Sequence, residues 1–429
     1  MNTDGLYQLF KNHPLVVTDS RTIKKGSLFF ALKGENFNGN KFAAEALEKG
    51  AAYAIIDEEK YQAGNRTILV ENVLGALQKL AGRHKKELGI PVLGITGSNG
   101  KTTTKELIAA VLSEKFRISF TQGNLNNHIG VPLTLLNMDK STEFGIVEMG
   151  ANHPGEIAQL CAIAAPDYGI ITNIGRAHLE GFGSFEAIKK TKAELYDYLK
   201  KKNGTIFYNR DNSILSELTK PIRHKISYGS KNVDLSGHPV FSPPFIHAEV
   251  HFPNENLYLN SKLTGDYNFE NIMAAACIGH YFGVDPPDIQ KAIENYTPGN
   301  NRSQLIEKNN LKIIMDAYNA NPTSMQASID SFVSSFSNPR YLILGDMLEL
   351  GGEELNDHIS ILEKTKKHSF SEVLLVGNAF TRAAKSYSVK SFINTKRLCH
   401  YLAENPIKEG AVLIKGSRGI QLEKVLDVL

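Results

Sequence analysis

The stretch Gly94-Ile-Thr-Gly-Ser-Asn-Gly-Lys-Thr-Thr-Thr104 narrows the choice of fold more than any other part of the chain. A short apolar run, Pro91 to Ile95, leads into it. Lys105 to Ser113 follows, with Leu107, Ile108, Val111 and Leu112 at the spacing of one helical face. Strand, glycine-rich turn, Gly-Lys-Thr and helix, in that order, predict a phosphate-binding loop. Gly97 and Gly100 let the backbone N–H groups of Ser98, Asn99 and Thr103 close around phosphate oxygens, and the helix N-terminus adds positive potential. Lys101 would reach the β- and γ-phosphates, and the Thr102 hydroxyl would hold Mg²⁺. One departure stands out: Ile95 occupies a place where a small residue is usual, and the glycines fall at Gly94, Gly97 and Gly100.

A chain of 429 residues has room for two or three domains, each with its own core. Residues 1–85 read as a small α/β domain, with strand-like Val16–Arg21, Ser27–Lys33, Ala51–Asp57 and Thr67–Val70 and a helix over Phe42–Lys49. Residues 86–297 carry the phosphate loop, then apolar strands at Phe144–Glu148, Tyr168–Thr172, Thr205–Tyr208 and Lys225–Tyr228. Helical patterns over Pro154–Ala164 and Phe185–Lys200 alternate with them, which implies a doubly wound, mostly parallel sheet. Residues 246–263 predict an antiparallel hairpin, and Asn268–Phe282 a helix. Residues 298–429 read as a second, Rossmann-like α/β domain without a Gly-x-Gly-x-x-Gly fingerprint, and Pro298-Gly-Asn-Asn301 is the expected hinge.

The apolar share of 42% and charged share of 22% are those of a soluble globular protein. A formal charge of +3 gives no reason to expect nucleic acid or an anionic membrane as partner. Cys161, Cys277 and Cys399 are far apart and form neither a metal spacing nor a disulfide framework. No signal-peptide pattern opens the chain, and no apolar run approaches the roughly 20 residues that span a bilayer. The expected compartment is the cytoplasm.

Ligands of open α/β sheets collect at the C-terminal strand ends, so residues there carry the chemistry. Glu148 ends an apolar strand and is the natural partner of Thr102 on Mg²⁺. His178 follows another strand end, where an imidazole can ligate metal or serve structure. Lys192 reads, on pattern alone, as one of several exposed helix lysines. The loop Asn124-Leu-Asn-Asn-His128 lies close enough in sequence to serve a substrate. Asp316, directly after a strand, can accept ribose hydroxyls, and Arg302, after the hinge, can reach back to phosphates. Lys415 and Arg418 sit at a further strand end and suit a carboxylate.

Taken together, these motifs resemble the ATP-dependent muramyl peptide ligases. The resemblance rests on the phosphate loop, Glu148, the Asn173-Ile-Gly-Arg-Ala-His178 run, Lys192-Ala-Glu194, Gly265-Asp-Tyr-Asn-Phe-Glu-Asn271, Arg302 and Asp316, in an order that covers nearly the whole chain. Asp316-Ala-Tyr-Asn-Ala-Asn-Pro322, Leu344-Gly-Asp-Met-Leu-Glu-Leu-Gly351 and Lys415-Gly-Ser-Arg418 resemble the branch that adds a D-alanyl dipeptide. The resemblance implies three domains, binding a UDP-muramyl tripeptide, ATP and D-alanyl-D-alanine in turn, in a monomeric enzyme. It implies two Mg²⁺, one on Thr102 and Glu148 and one on His178, with a carbamylated Lys192 serving the metal site. It also implies that Asn271 and Asp316 meet adenosine and that Arg302 meets the phosphates. Ser20, Arg21, Lys33, Asn126, Asn127 and Ser184 would hold the muramyl substrate, and Asn319, Asn321, Lys415 and Arg418 the dipeptide. The rival readings are an L-amino-acid adder or folylpolyglutamate synthetase of the same family, and a nucleotide switch with a degenerate site. The long first block argues against the folate enzyme.

Overall fold

A computed structural model describes all 429 residues. Three α/β units follow one another. The first has four parallel strands in the order Val16–Val17, Leu28–Phe30, Tyr53–Ile56, Thr67–Leu69, and a two-stranded hairpin of Lys33–Gly34 with Phe37–Asn38.

The central sheet has nine strands. Across it run Asn256–Leu259, Phe245–His251, Leu235–Ser242, Lys225–Gly229, Thr205–Asn209, Tyr168–Ile171, Val92–Thr96, Phe144–Glu148 and Ile118–Phe120. All neighbours are parallel except the pairs made by Phe245–His251, which form the expected antiparallel hairpin at one edge. Strand period decides which side chain enters which core. Val92, Val147, Ile171 and Ile206 face one layer, with Ile157, Leu160, Leu195 and Leu199 from the helices Glu156–Ala164 and Phe185–Lys202. Leu93, Ile95, Ile146, Ile170 and Phe207 face the other, against the helices Lys101–Ser113 and Asn268–Tyr281. These two helices approach closely: a Cβ on Gly279 would fall 2.3 Å from Val111 Cγ1.

The third unit has six strands in the order Gln304–Lys308, Leu311–Asp316, Gly410–Lys415, Arg340–Gly345, Glu372–Val376, Lys390–Phe392, antiparallel only at the first pair. Asn300, Asn301 and Ser303 all have positive φ, so the chain turns sharply into this unit.

Several elements lie outside the sequence expectation. Ile118–Phe120, Leu235–Ser242, Gln304–Lys308 and Lys390–Phe392 are strands at or near sheet edges, and Gly130–Leu136, Ser213–Thr219 and Pro286–Asn295 are helices. The residue pair 85/86, where the first change of unit is expected, falls within the single helix Val73–Leu88. Leu77, Leu80 and Ala81 of that helix belong to the same buried cluster as Leu6, Phe10 and Leu28 of the first unit and Leu135 and Leu160 of the second. All three cysteines are free thiols, and no helix is long and apolar enough to cross a membrane.

Candidate active site

The phosphate loop is held from below by the next strand. Gly97 has φ +145°, and a Cβ there would lie 2.0 Å from Thr172 Oγ1. That hydroxyl donates to the Asn99 carbonyl at 2.6 Å, and Asn173 Oδ1 accepts the Asn99 N–H at 3.0 Å. Gly100 has φ +77°, and its missing Cβ makes room for Asn271 Oδ1. Only glycine meets both demands, positive φ and close approach, at these two positions. Ser98 Oγ donates to the Gly175 carbonyl at 2.9 Å, and Lys101 Nζ donates to the Gly97 carbonyl at 2.7 Å. Burial draws the Lys101 pKa down, Glu148 opposes that, and Arg302 adds to it.

Glu148 ends its strand beside the loop and is 2% exposed. Its Oε2 accepts the Thr102 hydroxyl at 3.0 Å and its Oε1 accepts Asn126 Nδ2 at 2.9 Å. Lys105 Nζ stands 3.8 Å from Oε2. The pattern offered no reason to choose Lys105; its place one helical turn beyond Lys101 was the available signal. Buried at 1% exposure, Lys105 has its pKa lowered first by desolvation, against the pull of Glu148 and Glu106.

Lys192 corrects the pattern-based expectation of an exposed side chain. It is 2% exposed, and its Nζ lies 3.5 Å from the Ala151 carbonyl and 5.6 Å from the Phe182 ring centroid. Desolvation, then the Lys101 charge, takes its pKa to about 7. His178, at positive φ, pairs through Nδ1 with Glu349 of the third unit. That hydrogen bond draws the Glu349 pKa down, against the opposing effect of burial.

The third unit closes the other side. Arg302 lies with its guanidinium carbon 3.6 Å from the Tyr318 ring centroid, and its buried Nε has no hydrogen-bond partner. Asp316 Oδ2 accepts Lys415 Nζ at 2.5 Å and Ser328 Oγ at 2.9 Å. Desolvation is the largest influence and raises the Asp316 pKa, but the Lys415 charge and the hydrogen bonds from Lys415, Ser328 and the Ser303 N–H together outweigh it and the net shift is downward. Asn321 Nδ2 donates to Asn99 Oδ1 at 2.7 Å, a direct tie between the third unit and the phosphate loop. A cavity of about 680 Å³ opens among these groups.

Of the residues singled out in the sequence, Ser98 to Thr103, Asn126, Asn127, Glu148, His178, Asn271, Arg302, Asp316, Asn319, Asn321 and Lys415 line that cavity. Gly97 and Lys192 do not line it but are hydrogen-bonded to residues that do, Lys101 and Ala151 respectively. Asn271 bridges Thr104 Oγ1, at 2.9 Å, and Asn268 Oδ1, at 2.7 Å, so much of its amide serves the loop. Arg418 sits 5.3 Å from the Tyr318 ring centroid. Ser184 caps the helix Phe185–Lys202 through the Ala187 N–H. In the first unit Ser20 is buried, Arg21 forks onto Asp19, and Lys33 pairs with Asp57 at 3.0 Å. Arg418, Ser184, Ser20, Arg21 and Lys33 do not line the cavity. Asn173, Tyr318 and Glu349, which shape the site, stand in runs that the sequence marked, but only contact across the fold reveals their part.

Residues 14–85, 95–279 and 301–418 match, in turn, models described as "Mur ligase family, catalytic domain", "Mur ligase middle domain" and "Mur ligase, glutamate ligase domain". Curated relatives include the UDP-N-acetylmuramoyl-tripeptide–D-alanyl-D-alanine ligase of Bacillus subtilis, 37% identical over 96% of this chain and 92% of that protein. The Escherichia coli protein of the same description is 33% identical over 96% and 93%. Among solved structures, MurF from Acinetobacter baumannii superposes with a TM-score of 0.89, at 27% identity over 99% and 98% of the two chains. MurF ligase from Thermotoga maritima in complex with ADP superposes with a TM-score of 0.85, at 30% identity over 96% of each. Folylpolyglutamate synthase from Mycobacterium tuberculosis, at 14% identity and a TM-score of 0.65 over 83% of this chain and 94% of that one, shares the fold.

Proposed function

The chain belongs to the Mur ligase family, and from that membership we infer that it joins D-alanyl-D-alanine to a UDP-N-acetylmuramoyl tripeptide with ATP, giving the pentapeptide precursor of peptidoglycan. One observation carries the reading: the phosphate loop, Glu148 and the Asp316–Lys415 pair all open onto a single cavity.

A carboxylate is a poor electrophile because oxide is a hopeless leaving group. A carboxylate oxygen of the tripeptide attacks the γ-phosphorus of ATP, the bond to the β–γ bridging oxygen breaks, and ADP leaves. The product is an acyl phosphate. The dipeptide amine attacks its carbonyl carbon, the nitrogen gives up a proton, the bond to the phosphate oxygen breaks, and phosphate departs. Lys101 and Arg302 supply fixed positive charge to the phosphate oxygens, and the unpartnered Arg302 Nε–H is free to donate. Water would hydrolyse the acyl phosphate, so the second and third units should close over it, pivoting near Pro298.

The hard oxygens of Thr102 and Glu148, 3.0 Å apart, suit Mg²⁺, and His178 is the candidate for a second ion. Bound there, Mg²⁺ would neutralise phosphate charge. A Lys192 amine with a pKa near 7 is partly neutral at ordinary pH and can add CO₂. The resulting carbamate would replace a cation beside Lys101 with an anion and serve the metal site.

Residues 1–85 would then hold the nucleotide sugar through Ser20, Arg21 and Lys33, with Asn126, Asn127 and Ser184 nearer the peptide. Residues 86–297 would hold ATP, with Asn271 and Asp316 toward adenosine. Residues 298–429 would receive the dipeptide through Asn319, Asn321, Lys415 and Arg418. We place the enzyme in the cytoplasm as a monomer. The test is phosphate release combined with product mass. Both substrates should be required together, and Lys101→Ala should lower turnover by at least ~10²-fold. ATP hydrolysis that proceeds without the acid and the amine would rule the assignment out.

A further inference from the structure

The antiparallel edge of the central sheet carries a second cluster of metal-ligating groups, unrelated to the cavity. His238 and Glu249 are direct partners across the strands Leu235–Ser242 and Phe245–His251, and His251 is two residues beyond Glu249 on the same face. Glu249 holds its two oxygens toward different rings: Oε2 is 3.1 Å from His238 Nε2 and Oε1 is 3.6 Å from His251 Nε2. All three donor groups fall within 4.8 Å of one another. No lysine or arginine pairs with Glu249; its ion-pair partners are these two imidazoles.

We propose that His238, Glu249 and His251 form a zinc site on this edge hairpin. Donor atoms held tetrahedrally at about 2.0–2.1 Å from Zn²⁺ stand roughly 3.3 Å apart; each imidazole lies near that distance from one of the two Glu249 oxygens, and with one donor atom from each residue the three fall within 4.8 Å, a set that a small side-chain rotation draws onto one ion. The donor set, two imidazoles and one carboxylate, is a borderline-soft one that favours zinc over the oxygen-seeking Mg²⁺. His251 has a fixing partner behind it: Nδ1 lies 3.2 Å from Ser236 Oγ, its register partner. With Nδ1–H donating to that hydroxyl, the Nε2 lone pair is turned toward Glu249. His238 is exposed, so the fourth position is open to water. The strand Phe245–His251 lies five strand spacings from the phosphate-loop strand, about 24 Å at ~4.8 Å each, so the ion would clamp the hairpin and leave the chemistry alone.

The full chain, stripped by a chelator and dialysed against Zn²⁺ with Mg²⁺ in large excess, is analysed for bound zinc by atomic emission. The wild type should retain one more equivalent than His238→Ala, His251→Ala or Glu249→Gln, and zinc should raise its Tm but not theirs. Ser236→Ala should bind at the same site about tenfold more weakly. Ligase turnover with Mg²⁺ should be the same in all, which also shows that each variant is folded. Equal zinc in the wild type and the three ligand variants, or no zinc in any, would sink the proposal. Because Glu249→Gln keeps the side-chain shape, it decides the matter if either alanine variant fails to fold.

Discussion

Lys192 is the residue whose surroundings depart furthest from its pattern in the sequence. Its folded pKa is about 7, from burial first and the Lys101 charge second, against 10.5 for an ordinary lysine. Below pH 7 both the folded and the unfolded amine are charged, so burying that charge destabilises the fold in full. From pH 7 to 10.5 the folded amine has lost its proton while the unfolded one retains it, and the penalty fades. Lys192→Met keeps the volume and removes the charge. In CO₂-free buffer it should melt above the wild type at acid pH, with the gap closing toward pH 10.5, and ligase turnover should be lost. A variant that melts below the wild type at acid pH would contradict the burial argument. An active one would remove Lys192 from the proposed metal site.

The helix Pro322–Ser335 shows the same coupling one level up. Asn321 caps it with a reciprocal capping box, its side chain accepting the Ser324 N–H at 2.9 Å while Ser324 Oγ accepts the Asn321 N–H at 3.1 Å. The same Asn321 amide reaches the phosphate loop at Asn99. Removing either half of the box should destabilise the protein by about 1 kcal/mol. Only Asn321→Ala should also raise the KM for ATP, since Ser324→Ala leaves the tie to Asn99 intact. Steady-state kinetics and denaturant unfolding on the two variants separate the effects, and equal KM values would mean that the tie does nothing for nucleotide binding. The strands that carry the site were legible in the sequence because they are buried on both faces and read as unbroken apolar runs: Val92–Thr96, Phe144–Glu148, Tyr168–Ile171. Other strands were not. Ile118–Phe120 and Lys390–Phe392, at sheet edges, are three residues long, and Leu235–Ser242, paired on both sides, is broken by Gly237 and Pro239. The phosphate loop and Glu148 were legible for a different reason, since their chemistry is local. The partners of Asp316, His178 and Asn321 lie 99, 171 and 222 residues away, and no local pattern encodes such distances.

At the scale of the molecule, contacts between the second and third units meet at the cavity: His178 with Glu349, and Asn99 with Asn321. A nucleotide that fills this space should stabilise both units together. A non-hydrolysable ATP analogue at ~100 times its Kd should add about 2.7 kcal/mol, read as a single shifted unfolding transition. Two transitions of which only one moves would show that the third unit does not take part in binding. The first and second units are joined differently. The helix Val73–Leu88 contributes side chains to a core that both share. It is a common wall, so neither neighbour can be lifted away without leaving the other open. A chain beginning at Lys86 would bare Leu135 and Leu160 to water and should bind hydrophobic dyes, whereas one beginning at Asn72 keeps that face covered. For anyone grafting the first unit of one such ligase onto the body of another, the splice must fall before residue 72, so that the wall travels with the house it supports.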